Sequence, residues 1–181
     1  YTWSLQVNKG AGTPPTFNAA NIVYGVPTAL TASGGSGTGD ITYSTTSADC
    51  VLSGTRGETV TAQKASGTCT ITAQKAGDSN YYSTSKSAQF TMTKQPSTVS
   101  ITASPASPRE AGTAITINAT VGSGQTGTVT FSAGGSAISS CGTSGAVTIS
   151  GTSATCVWTP SSSGSPFTLA ASYSGDANYQ T

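Results

Sequence analysis

The sequence predicts an all-β protein built from two tandem antiparallel β-sandwich modules. Apolar and polar residues alternate in short runs, which is the pattern of strands that bury one face. Gly, Ser, Pro and Asn separate these runs, and no stretch has the apolar spacing of a helix. Three sequence markers also occur twice in the same order, which indicates two copies of one module.

In the first half, alternation predicts four clear strands, and each is bounded by turn residues. They cover residues 1–7, 41–43, 69–73 and 88–92. The opening strand carries its apolar side chains at Tyr1, Trp3, Leu5 and Val7. Cys69 shares the phase of Ile71, so we expect its side chain to point into the core.

In the second half, the same alternation predicts five strands. They cover residues 99–103, 115–121, 129–131, 147–149 and 167–173. Cys156 shares the phase of Trp158, so we expect both side chains in the core. About seven strands per half is the number typical of a two-sheet sandwich.

The internal repeat has three markers. Residues 35–44 return as residues 122–132 with Gln125 inserted, and the pair Thr68-Cys69 returns as Thr155-Cys156. The third marker is a Gly-Asp-x-Asn-Tyr turn, whose distinctive residues are Asp78, Asn80, Tyr81, Asp176, Asn178 and Tyr179.

Residues 173–179 read Tyr-Ser-Gly-Asp-Ala-Asn-Tyr. This resembles the bacterial immunoglobulin-like (Ig-like) repeat families of adhesins and cell-surface proteins, in which a late strand ends in a Tyr-x-Gly-Asp-x-Asn-Tyr turn. The first module keeps the Gly-Asp-x-Asn-Tyr core but differs at residues 74–76, just before it. The resemblance covers nearly the whole chain and implies two tandem Ig-like antiparallel β-sandwiches. It identifies no single function, because such modules serve as spacers, adhesins, fibre subunits and enzyme appendages.

The two copies are offset within the sequence. In the first, the turn is followed by a last strand, then Lys94 and a Pro-containing linker, whereas no such strand follows the second turn. Residues 1–9 look like a last strand with the start of its linker. We therefore expect residues 1–9 to belong to a preceding or neighbouring module, residues 10–94 to form module 1, and residues 95–181 to form module 2 without its final strand.

A sandwich without its last strand exposes a sheet edge and an apolar groove, and such an edge is a template for another strand. The alternating residues 1–7 suit insertion into that groove. Two arrangements follow: a longer tandem array with covalent continuation, or separate copies that exchange a strand head to tail. Both produce a linear filament, and an arbitrary sequence boundary is the neutral explanation.

The cysteines occur as one pair in each half, Cys50 with Cys69 and Cys141 with Cys156. A metal site would need CxxC spacing or accompanying His residues, and the sequence has neither. We expect two intradomain disulfides, with buried free thiols as the alternative. Disulfides indicate an oxidising compartment, so the expected location is extracellular or at the cell surface.

Charged residues make up only 7% of the 181 residues, with seven basic and six acidic side chains and no His. This thin, balanced charge argues against nucleic acid as a partner. No apolar run approaches the roughly 20 residues needed to cross a bilayer, so we expect no membrane insertion. Without His, a Ser-His-Asp or Cys-His nucleophile cannot be assembled, and we expect no enzyme activity and no cofactor.

The Gly-Asp-x-Asn-Tyr turns offer one carboxylate each, whereas calcium needs six to eight oxygen ligands and usually several carboxylates. We therefore expect Asp78, Asn80, Asp176 and Asn178 to shape their turns by hydrogen bonds to backbone groups, and we expect no metal site. Trp3 and Trp158 lie in alternating strands, which favours the core over stacking on sugars.

Three functional hypotheses remain. The first is a structural role, in which modules associate head to tail with copies of themselves or with adjacent modules in a stalk or filament. The second is adhesion or binding of surface glycans. The third is an accessory module of a secreted hydrolase.

Overall fold

The computed structural model describes all residues from 1 to 181 and contains sixteen β-strands and no helix. The chain divides into two compact units, Tyr1–Gln95 and Pro96–Thr181. This division lies one residue from the boundary expected between residues 94 and 95. No segment forms a helix that could span a membrane.

The first unit contains nine strands, of which only β8 and β9 are longer than five residues. They are β1 (Thr16–Phe17), β2 (Asn21–Val23), β3 (Thr28–Ala29), β4 (Ala32–Ser33), β5 (Ile41–Thr45), β6 (Cys50–Ser53), β7 (Thr59–Ala62), β8 (Thr68–Lys75) and β9 (Thr84–Thr93). One sheet has the order β2-β9-β8-β5, a second has the order β3-β7-β6, and β1 pairs with β4. The pair β2–β9 is parallel, and the other strand pairs are antiparallel.

The core of the first unit takes alternate residues from both larger sheets. Ile71 and Phe90 come from the four-stranded sheet, and Val60 comes from the three-stranded sheet. All three are buried, and burial of such a side chain stabilises the fold by about 1.5–3 kcal/mol. The Cys50–Cys69 disulfide joins β6 to β8 and so links the two sheets. This arrangement is consistent with a β-sandwich.

The second unit contains seven strands. They are β10 (Ser100–Ser104), β11 (Ile115–Thr120), β12 (Thr128–Ala133), β13 (Ser136–Ala137), β14 (Ala146–Thr148), β15 (Ser153–Trp158) and β16 (Leu169–Tyr173). One sheet has the order β10-β11-β15. In the other, β12 is central: β13 and β14 pair with successive parts of one side, and β16 pairs with the opposite side.

The core of the second unit is built in the same way. Ile117 and Cys156 from the three-stranded sheet pack with Val129 and Phe131 from β12. The Cys141–Cys156 disulfide connects the segment between β13 and β14 to β15. The two disulfides are therefore the ones expected from the sequence, Cys50–Cys69 and Cys141–Cys156. Disulfides indicate an oxidising environment.

Strand pairing shows which parts of the two units correspond. Strand β8 pairs with β5 and leads into the turn at Asp78, and β16 pairs with β12 and leads into the turn at Asp176. Cys69 lies in β8, but Cys156 lies in β15, in the opposite sheet. The two Thr-Cys pairs therefore do not occupy equivalent positions in the two units. A local sequence pattern does not specify which sheet a strand joins. By register Leu169 corresponds to Ile71, and counting two residues back along each segment makes Phe167, which precedes β16, the counterpart of Cys69.

Residues 1–9 form no strand within the chain, although their alternation predicts one. The apolar side chains of residues 1–7 are exposed, and the accessibility of Trp3 is 96%. The expected core position of Trp3 is therefore wrong for the isolated chain, because an alternating segment buries its apolar face only against a partner sheet. Trp158 is partly buried and packs against the core of the second unit.

Candidate functional site at an open sheet edge

The outer edge of β16 is the clearest difference between the two units. Strand β8 of the first unit is paired on both sides, with β5 and with β9. Its counterpart β16 is paired only with β12. Among these 181 residues, no strand occupies the position beside β16 that corresponds to β9.

The backbone of β16 presents hydrogen-bonding groups at this edge. Ser174 donates its N–H to the Thr128 carbonyl at 2.9 Å, and the Thr168 carbonyl accepts from the Gly134 N–H at 3.0 Å. Even-numbered residues of the strand thus direct their backbone groups toward β12, so the odd-numbered residues direct theirs to the outer side. The N–H and C=O groups of Leu169, Ala171 and Tyr173 accordingly form a row that an added strand can pair with.

The side chains along β16 are less well covered than those along β8. Ile71 and Ala73 have 0% accessibility in the first unit, where β9 lies beside them. Their counterparts Leu169 and Ala171 are partly exposed, although both pack against the core. At the end of the strand Tyr173 is buried, and burial raises the pKa of its phenol to about 12.

A cleft of about 280 Å³ lies beside the start of β16, where Leu169 is the one residue of the strand that lines it. Its wall has large apolar side chains from Ile115, Trp158, Phe167 and Leu169, and two charged side chains, Arg109 and Glu110. The rings of Trp158 and Phe167 meet edge to face, with their centroids 5.1 Å apart. The cleft therefore has apolar aromatic and aliphatic side chains beside polar ones, and it meets the unpaired edge of β16 at Leu169.

The turn after β8 is fastened by the Asp78 carboxylate. Asp78 Oδ2 accepts hydrogen bonds from Thr38 N–H at 2.8 Å and from Thr38 Oγ1 at 3.3 Å. Asp78 Oδ1 accepts from the N–H groups of Asn80 and Tyr81 at 2.8 and 2.9 Å. Led by the bond from Thr38, these backbone hydrogen bonds lower the pKa of Asp78 to about 2.

Asp176 repeats this arrangement in the second unit. Its Oδ2 accepts from Thr126 N–H at 2.8 Å and from Thr126 Oγ1 at 3.0 Å, and its Oδ1 accepts from Asn178 and Tyr179 N–H at 2.8 Å. Desolvation is the largest influence and raises the pKa of Asp176, but the combined hydrogen bonds, led by Thr126, hold it well below its usual value. Both carboxylates are engaged by donors, so they shape the turns. Asn80 and Asn178 take part through their backbone N–H groups.

The remaining charged side chains lie on open surfaces. Arg56 and Asp40 form an ion pair at 3.4 Å beside a shallow depression that Glu58 and Lys75 also line. Both partners of the pair are more than half exposed, so the pair adds little stability and little binding energy. No group of three or more His, Cys, Asp or Glu side chains is arranged to hold a metal ion.

Tyr1, Trp3, Leu5 and Val7, the expected donor strand, project into solvent, and the expected acceptor edge lies along β16. Sequence reasoning did not place the partly buried Trp158 and Phe167 at a cleft. Alternation shows which face of a strand a residue lies on, but it does not show which segment covers that face. The signal that could have found them is the strand missing after the second turn. Comparison with protein-family models, with curated proteins and with solved structures found no match for this chain.

Proposed function

We propose that this chain is a structural repeat module of an exported bacterial surface stalk or extracellular filament. Its two Ig-like sandwiches would be joined head to tail to further modules, by strand complementation or by covalent tandem continuation. The observation that carries the proposal is the division of the chain into two compact units, each with its own core and its own disulfide.

The cross-linking of each unit supports a load-bearing role outside the cytoplasm. Each unit has one disulfide, between residues 19 or 15 positions apart in the sequence. An Asp carboxylate holds the turn that follows β8 in the first unit and the turn that follows β16 in the second. In the chain-entropy model, disulfides that close loops of this length contribute about 3 kcal/mol each. Such stabilisation suits small modules that stand alone in a linear array.

Electron microscopy of native material tests this proposal directly. We expect linear filaments whose axial repeat corresponds to one or two modules, decorated along their length by an antibody against this chain. Isolated single particles in native extracts, with no filament recognised by the antibody, would contradict a structural array.

A second candidate function is glycan binding, and the partly exposed pair Trp158 and Phe167 in the cleft favours it. Aromatic faces in a groove can stack on sugar rings. A glycan array with the wild-type chain and Trp158→Phe separates the two functions. Selective binding that weakens in the variant supports a lectin-like role, whereas the structural proposal predicts no selective binding.

A further inference from the structure

We infer that residues 10–13, through which the chain enters the first unit, are a fixed part of that unit and are held there by the Asp78 turn. Residues 10–13 are called the entry segment below. A fixed entry segment sets the direction of the chain that precedes it, and its use in a linear array rests on the proposed structural role.

The entry segment pairs with the turn that follows β8. The Gly10 N–H donates to the Asn80 carbonyl at 2.8 Å, and the Tyr82 N–H donates to the Gly10 carbonyl at 3.2 Å. Gly10 and Tyr81 accordingly form a parallel bridge. The turn therefore satisfies both backbone groups of Gly10, although this residue precedes the first strand of the unit.

Thr13 connects the other end of the entry segment to the Gly-rich loop of residues 34–39. The Thr13 N–H donates to Ser36 Oγ at 2.9 Å, and the Thr13 carbonyl accepts from the Ser36 N–H at 3.1 Å. The same carbonyl accepts from Thr84 Oγ1 at 3.2 Å. The entry segment is thus held at both ends by residues distant in sequence.

The Asp78 carboxylate joins these two supports to each other. Its Oδ2 accepts from Thr38 in the Gly-rich loop, and its Oδ1 accepts from the backbone of its own turn. Entry segment, loop and turn therefore form one closed set of hydrogen bonds, which we call the entry clamp. Without the carboxylate the turn and the loop lose this connection, so the entry segment should detach before the sheets separate.

Two glycines permit the close approach of these segments. A Cβ added at Gly12 would lie 3.2 Å from the Tyr82 carbonyl oxygen, and a Cβ added at Gly35 would lie 3.2 Å from the Thr13 carbonyl oxygen. Gly35 also has a φ of 79°, which residues with a side chain rarely adopt. Glycine therefore occupies the positions where the entry segment meets each of its two supports.

The second unit has a corresponding contact at its own entrance. Ser97 Oγ donates to the carbonyl of Gln180, the residue after the motif Tyr179, at 2.8 Å. The Tyr179 hydroxyl donates to the Ser123 carbonyl at 3.3 Å, and so connects the turn to the Gly-rich segment of this unit. The entering chain, the turn and a Gly-rich segment thus meet in both units, which makes the contact a property of the module.

Limited proteolysis of the full chain tests the entry clamp, because trypsin cleaves after Lys9, directly before the entry segment. The protease must displace several residues on each side of the bond, so cleavage there reports the opening of the entry segment. Cleavage after Lys86, within β9 of the same unit, reports the opening of the sheet. The measured quantity is the ratio of the initial cleavage rates at Lys9 and at Lys86, followed by mass spectrometry.

We expect Asp78→Ala to raise this ratio at least about tenfold, because the charge-assisted bonds of the clamp are lost. The matched control is Asp176→Ala, which removes the equivalent carboxylate from the other unit and should change the ratio less than about twofold. Faster cleavage at both bonds with an unchanged ratio in Asp78→Ala would show that Asp78 supports only the unit as a whole, and would overturn the inference. Cleavage of the wild type after Lys9 as fast as that of a synthetic peptide of residues 6–13 would also overturn it.

A second variant leaves the carboxylate in place. Ser36→Ala removes the hydroxyl that accepts from the Thr13 N–H, and it should raise the ratio at least about threefold. Ser79→Ala is its control, because Ser79 is exposed in the same turn and the second unit has Ala177 at the equivalent position. Equal ratios in these two variants would overturn the role of the Gly-rich loop in the clamp.

The proteolysis and the microscopy of native material have separate outcomes. Filaments together with rapid cleavage of the wild type after Lys9 would overturn this inference alone. Slow cleavage that Asp78→Ala accelerates, together with no filaments, would support the entry clamp and contradict the proposed array.

Discussion

Asp78 and Asp176 each hold a turn against the segment that leads into β5 or β12. Each carboxylate accepts hydrogen bonds from the backbone of its own turn and from a threonine distant in sequence. The short side chain of Asp reaches all these donors at once, and its charge strengthens each bond. The Gly-Asp-x-Asn-Tyr motif of both units therefore connects two chain segments through the hydrogen bonds of its Asp carboxylate.

We expect Asp176→Ala to lower the free energy of unfolding by about 1–2 kcal/mol, allowing for the partial exposure of the carboxylate. The reason is the loss of charge-assisted bonds to Thr126, Asn178 and Tyr179. Urea denaturation measures the effect. The matched control is Asp49→Ala, which removes only an exposed ion pair with Lys64 and should change stability by less than about 0.5 kcal/mol. Equal losses in both variants would contradict the fastening role.

Acid should weaken the first unit through Asp78. Its pKa is lowered from 3.8 to about 2, so the folded state favours the ionised form more than the unfolded chain does. That contribution is fully present above the unfolded pKa and disappears as pH falls through the folded pKa. We expect the difference in melting temperature between wild type and Asp78→Asn to shrink between about pH 5 and pH 2. A difference independent of pH would show that ionisation of Asp78 does not stabilise this unit.

At the scale of the element, β16 is a strand with one paired side and one open side. The residue pairs Thr130 with Ser172 and Ser132 with Ala170 connect it to β12. Each odd-numbered residue instead points its backbone outward. Among these 181 residues, the strand therefore joins its own unit through one set of backbone groups, and no strand pairs with the other set.

Proline substitution separates these two roles, because proline removes the backbone N–H. Ala170→Pro removes a donor directed to β12 and leaves its acceptor unpaired, so it should destabilise the second unit by about 1–3 kcal/mol. Ala171→Pro removes a donor directed outward, a position at which edge strands tolerate proline, so its cost in stability should be smaller. Thermal melts rank the two variants. The reverse order would show that the hydrogen-bonding sides of β16 are assigned wrongly.

On the scale of the whole molecule, each unit is small and carries its own disulfide. Small cores bury a limited fraction of their surface, so cross-links make a large contribution to their stability. The two units also differ, since β8 lies between two strands and β16 lies at an edge.

Removing the disulfides should reduce stability in both units. We expect the pair Cys50→Ser, Cys69→Ser and the pair Cys141→Ser, Cys156→Ser each to lose about 3 kcal/mol in urea denaturation. As a control, alkylation followed by mass spectrometry under non-reducing conditions counts the free thiols of the wild-type protein. Four alkylatable thiols in the native protein would contradict both the cross-links and the oxidising environment inferred from them.

Alternation predicted β8, β11 and the second half of β9, because each of these presents one apolar face. It did not extend β9 over residues 84–87, which are polar and mostly exposed. It did not identify short strands such as β3 and β13, whose two residues each give no periodic signal. The turn residues Asp78 and Asp176 were found because an acceptor within a Gly- and Asn-containing turn has a local role.

The order of residues alone established where strands can form, which cysteines share a half of the chain, and which carboxylates serve the turns. These properties depend on neighbours along the chain, so a local pattern expresses them. The sheet that receives Cys156, the place of Trp158 beside a cleft and the strand on which the unpaired edge lies became known only from the folded structure. Each of them depends on pairing between segments far apart in the sequence, and the same alternating pattern is compatible with more than one partner.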